Sequence, residues 1–140
     1  MVELCALYND IKKQNIYLFP YDVGPEKSVT LEMNQKYAIF ADFFRMGSIA
    51  EIKKTLAHEI GHCATGCTHK VCSSLDLVQK HEYKANRWAI ERYLPFNNLN
   101  AAIIDGYSEP WQLAEYFDLP EDFINKAVDY YEISREQKFG

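Results

Sequence analysis

The chain is short of several things, and each shortage removes a class of protein. It has no apolar run approaching the length needed to cross a bilayer. Its opening residues, MVELCALYNDIKK, lack a charged leader followed by a long apolar stretch, so no secretion signal is expected. Positive charge is scarce. The 15 Lys and Arg stand against 20 Asp and Glu, and the net charge of −5 argues against broad electrostatic binding of nucleic acid. There is no repeat, low-complexity tract or Gly/Ser linker to divide the chain. These absences lead to the expectation of a single domain over residues 1–140, cytoplasmic, with no membrane segment and no direct nucleic-acid partner. The four cysteines are then expected as thiols of a reducing compartment rather than disulfides.

What is present suffices for a folded core: 48% of the residues are apolar and 25% charged. The pattern changes once. Up to about Phe44 it mixes one short helix with β-prone runs, and after that it is helical. Leu4, Leu7, Tyr8 and Ile11 fall on one face of the first helix. NIYLF is a short β-prone run closed by a turn, and SVTLEM and KYAIFADF flank Asn34-Gln35 as a hairpin would. Ser48 begins a helix with a capping-box sequence, Ser48-Ile49-Ala50-Glu51. Ile49, Ile52, Leu56 and Ile60 give it an apolar stripe, and Gly66 can end it. Ser73 or Ser74 can cap a following helix that runs to about Leu94, ahead of Pro95. NNLNAAII reads as a short helix or irregular piece, and two more helices follow, with Pro110 and Pro120 in their first turns. The Lys pairs Lys12-Lys13 and Lys53-Lys54 read as solvated faces.

The chemistry concentrates in TLAHEIGHC. With only four His in the chain, shuffling produces the pattern His58-Glu59-Ile60-Gly61-His62 roughly one time in a hundred, so its context matters. Four residues apart on a helix, His58 and His62 project from one face and suit two nitrogen ligands of one zinc ion. Glu59 lies one position round. It can lean over a water that zinc has acidified, take its proton and pass it on.

Tetrahedral zinc with one open position needs a third protein ligand. His69 and Gly66 each arrive one residue late for the longer motif H-E-x-x-H-x-x-G-x-x-H. Asp76 can serve a helix terminus instead, and His81 neighbours the strongest candidate, Glu82. Two antiparallel helices joined by a loop would bring Glu82 opposite the two His. Asn86, four residues on, shares its face and can accept the spare N–H of a ligand His.

These residues resemble the ImmA/IrrE family of zinc metallopeptidases. The likeness rests on YAIFADF before the motif helix, TLAHEIGH, EYKAN, the continuation RWAIERYLP and the tail QLAEYFDLPEDFINKAVDYY, and covers about Ile16 to Tyr131. It implies a zincin-like minimal metallopeptidase of the HExxH-plus-Glu (gluzincin) type. It also implies an intracellular enzyme of bacteria and their prophages and other mobile elements, often acting on a helix-turn-helix repressor. Carried over by position, His58, His62 and Glu82 match the metal ligands, Glu59 the general base, and Asn86 the amide behind them.

The expected fold is α+β, a small N-terminal sheet packed on a mainly helical C-terminal part. The strand ending near Phe43 is expected at the cleft edge, where an extended peptide would add to it. The expected function is zinc-dependent hydrolysis of a peptide bond in a specific intracellular protein, plausibly a transcriptional repressor, with one Zn2+ per chain. The alternative is an inactive zinc-binding interaction module whose metal is closed off by Cys63, Cys67 or Cys72. Cys63, Cys67, His69 and Cys72 crowd one segment and could hold a second zinc, but with no C-x-x-C pair the three cysteines read as small buried thiols. Tyr83, Tyr93 and Tyr107 are candidates for stabilising an oxyanion, unranked by sequence.

Overall fold

The computed structural model describes residues 1–66 and 75–140. The expected loop over Cys67–Cys72, His69, the caps Ser73 and Ser74, and the side chain of Asp76 lie outside the described residues. The described residues form a mixed α+β arrangement in which helices predominate. In chain order the elements are α1 (Leu4–Lys13), β1 (Tyr17–Pro20), β2 (Ser28–Met33), β3 (Lys36–Ala41), a 3-10 turn (Phe43–Arg45), α2 (Ile49–Thr65), α3 (Leu75–Tyr93), α4 (Phe96–Ile104), α5 (Pro110–Phe117) and α6 (Glu121–Asp129). A π-helical turn, Tyr130–Ser134, follows α6.

The sheet has the order β1-β3-β2. β3 runs parallel to β1 and antiparallel to β2. Met33 faces Lys36 directly, so Asn34 and Gln35 alone make the turn, with φ of 52° and 65°. Two left-handed residues match the twist of the flanking strands, and Asn adopts that conformation more readily than Gln. The hairpin position therefore forms without the favoured Asn-Gly pair. One expectation is overturned: β3 is paired on both sides, so it cannot present an edge to a cleft. The outer strands are β1 and β2.

Paired residues share a face of the sheet, and alternation separates the two faces. Ile39 and Ala41 are fully buried, and with Leu18, Thr30 and Ser28 they form the face turned toward the helices. Above them the stripe of α2 begins at Ile52, one turn later than its sequence suggests, because Ile49 is exposed. Leu56 and Ile60 are fully buried. Ser48 caps the helix, its Oγ accepting from the Glu51 N–H at 3.1 Å, and Gly66 closes it in the left-handed region at φ 66°.

The expected solvated face fails at Lys53. Lys53 is 2% exposed rather than solvated, and its Nζ lies 2.6 Å from Asp118 Oδ2. Lys54 Nζ lies 2.7 Å from Asp122 Oδ2, so the corner between α5 and α6 supplies both counter-charges to α2. On α1, Leu7 and Ile11 are buried, but Tyr8 is exposed and Asp10 is buried instead. Asp10 accepts from Arg92 Nε at 3.0 Å, Arg92 Nη2 at 2.8 Å and the Tyr93 hydroxyl at 2.8 Å, which pins α1 to the end of α3. Each acceptor bond replaces water lost on burial. The Tyr131 hydroxyl likewise donates to the Leu94 carbonyl at 2.8 Å, docking the C-terminal turn under α3.

The Arg92 fork, with Tyr93, holds the Asp10 carboxyl below its ordinary value of 3.8 against the opposing effect of burial. A depressed folded-state pKa stabilises the fold above the unfolded pKa and loses that effect as pH falls. Since Arg92 is half exposed, Asp10→Asn should cost about 1–2 kcal/mol at neutral pH rather than the full value of a buried pair. Urea unfolding at a series of pH values checks this. The gap between wild type and variant should be full above about pH 4 and narrow below it.

Candidate metal centre

The site is built where α2 crosses α3. Gly61, in the middle of α2, makes the crossing close. A Cβ placed on it would stand 2.4 Å from the Ala85 carbonyl oxygen on α3, a contact no side chain can occupy. A mid-helix glycine costs about 1 kcal/mol relative to alanine, and here the close approach of two backbones explains its presence. The glycine of HEIGH and the alanine of EYKAN thus touch, and the residues flanking each are brought into register. Asn86 meets His58, and Glu82 reaches both His58 and His62. Later residues of α3 meet earlier residues of α2, the order of an antiparallel pair.

Three ligand side chains converge. His58 Nε2 lies 2.7 Å from Glu82 Oε2, His62 Nε2 lies 3.1 Å from Glu82 Oε1, and the two imidazole Nε2 atoms are 3.1 Å apart. Tetrahedral zinc with bonds of about 2.05 Å separates its ligand atoms by about 3.3 Å, so the donor set has the right size and chemistry. Among the described residues, His58, His62 and Glu82 form the group of His, Cys, Asp or Glu donors compact enough to share an ion. Burial disfavours a charged Glu82, yet the two imidazoles beside it hold its carboxyl well below the usual range. Asn86 Oδ1 lies 2.7 Å from His58 Nδ1. With the amide oxygen accepting the Nδ1 proton, Nε2 is left to present its lone pair to the centre.

Glu59 stands apart from this group. It is only 6% exposed, and both carboxylate oxygens are engaged by the sheet. The Ser28 hydroxyl donates to Oε1 at 3.0 Å, and the Thr30 hydroxyl donates to Oε2. Ser28 and Thr30 are two apart on β2, so they share the face that meets α2. Glu59 is therefore anchored on the strand side of the centre, facing the outer strand β2. Sequence reasoning missed both hydroxyls. The S-x-T alternation was visible, but nothing in it pointed at Glu59 until the pairing with β3 fixed the register.

No protein-family model matches the chain, and no match was found among curated proteins or solved structures.

Two other expectations can be placed. Tyr93 has its hydroxyl committed to Asp10, which removes it as an oxyanion donor. Tyr107 packs its ring on Tyr116, and Tyr83 is exposed on α3 next to Glu82. Cys63 is a free, buried thiol, and burial together with the Glu59 charge pushes its pKa up to about 12. Among the described residues it is not one of the converging donors, and Cys67, His69 and Cys72 lie outside them.

Two substitutions test this geometry without any substrate. Gly61→Ala forces α3 away and should cost about 1–3 kcal/mol in thermal unfolding while weakening zinc binding. Asn86→Ala should leave the apo-protein stability nearly unchanged but lower zinc affinity roughly 10–100-fold in competition with a chromogenic chelator. Wild-type zinc affinity in both variants would show that the crossing does not set the site.

Proposed function

We propose that the chain is a zinc-dependent endopeptidase with a zincin-like architecture, acting in the cytoplasm on a specific protein. The observation that carries this reading is the convergence of His58, His62 and Glu82 at 2.7–3.1 Å, with the adjacent Glu59 held outside that group. The ImmA/IrrE-like motifs support it, and by analogy suggest a helix-turn-helix repressor as the substrate.

In this reading His58, His62 and Glu82 hold the ion and Asn86 fixes the His58 tautomer. When bound, zinc supplies Lewis acidity, acidifying water and polarising a carbonyl. Glu59 takes the proton of the attacking water and delivers it to the leaving amine. Ser28 and Thr30 fix the direction from which Glu59 acts. Because β2 is an outer strand and carries those hydroxyls, an extended substrate adds to β2 rather than to β3. Its main chain then runs beside the base.

The test uses the purified protein with the product of the neighbouring reading frame as substrate. Glu59→Gln should retain a full complement of zinc and lose cleavage by roughly 10²–10⁴-fold. Thr30→Val removes a hydroxyl at constant shape and should lower kcat about ten-fold, the loss of about 1.4 kcal/mol, with little change in KM. If Glu59→Gln cuts as well as wild type, the mechanism is wrong. If the partner binds both proteins and stays intact, the chain is an interaction module on the same scaffold.

A further inference from the structure

The sheet has a second face, and nothing in the described chain covers it. The helices pack on the side of Ile39 and Ala41, so the alternate residues point away from them. On that side stand Tyr17 and Phe19 of β1, Phe40 of β3, and Val29 and Leu31 of β2. Tyr21, just past β1, sets its ring edge against Phe40 at 6.1 Å. Phe19 stacks on Phe40 at 5.2 Å and 24°, and Tyr17 stacks on Phe19 at 6.3 Å and 14°. The rings form one continuous layer, yet Tyr17 is 51% exposed, Phe19 45%, Tyr21 65% and Leu31 46%.

We propose that this face pairs two copies of the chain, sheet against sheet. Half-exposed aromatic rings offer roughly 100 Å² each, so the face presents about 450 Å² of mainly apolar surface. Two copies together would remove about 900–1,000 Å², the lower limit for a specific interface, which fits a weak dimer. The Phe19–Phe40 stack lies at the centre of the face, where a two-fold axis would set it on its mate. Two sheets can pack about 10 Å apart with such rings interleaved. Charge favours this occupant over a nucleic acid. By strand alternation the cation on this face is Lys36, at its end, and each copy carries a net −5. Salt would screen the repulsion between copies and strengthen the dimer, whereas it weakens nucleic-acid binding.

Sedimentation velocity on the zinc-loaded protein, from about 5 to about 300 μM, tests the proposal and requires no activity. The weight-average mass should rise from 16.3 kDa toward twice that value. The midpoint should fall in the tens of micromolar, shifting lower when NaCl is raised. Phe19→Lys should weaken the dimer at least ten-fold. Tyr17→Lys is the second probe should Phe19→Lys lose its circular dichroism signal. Ile133→Lys, which changes another exposed apolar residue on the C-terminal turn, should leave dimerisation unchanged. A 16.3 kDa species at every concentration overturns the proposal, even if the face captures some other partner. So does a dimer indifferent to both lysine substitutions.

Discussion

The contact between Gly61 and the Ala85 backbone is the constraint on which the site depends. Two helices that cross at ordinary distance keep their side chains between them and hold polar groups apart. Here the missing Cβ lets α3 settle directly on α2. Glu82 and Asn86, on either side of Ala85, then reach the imidazoles of His58 and His62 with short side chains. Two buried charged groups brace the helices that cross. Asp10 with Arg92 and Tyr93 fixes α1 against the end of α3, and Lys53 with Asp118 fixes α2 against the C-terminal helices. Both pairs are tied to buried groups, so neither helix can slide without leaving a charge unsatisfied.

A second constraint comes from the sheet. Glu59 is nearly buried, and a carboxylate there requires donors. β2 supplies two, Ser28 and Thr30, on consecutive positions of one face. The strand that anchors Glu59 is also an outer strand, with no further strand paired to it among the described residues. In the proposed reading, substrate docking and base orientation share this one element. The opposite face of the same sheet carries a continuous aromatic layer.

Much of this was legible in the sequence, for physical reasons that can be named. The i, i+4 spacing of His58 and His62 follows from helix geometry alone, and the Ser48 cap and Gly66 stop fixed the platform that carries them. EYKAN announced a carboxylate and an amide on one helical face. What could not be read was anything set by contact between distant segments. Lys53 looked solvent-facing because its partner, Asp118, lies 65 residues away. β3 looked like an edge because strand order is not written in strand sequence. Ser28 and Thr30 were ordinary polar strand residues until the register turned them toward Glu59. Gly61 was the overlooked signal, since a glycine inside a strong helix pattern often marks a close approach.

X-ray absorption at the zinc edge, on the zinc-loaded protein, reads which atoms hold the ion. If His58, His62 and Glu82 hold it, one zinc per chain should show nitrogen and oxygen neighbours alone, at about 2.0–2.1 Å, with a signature of two imidazoles. A sulfur shell near about 2.3 Å would contradict it, because the metal would then be held by the cysteines and closed to substrate.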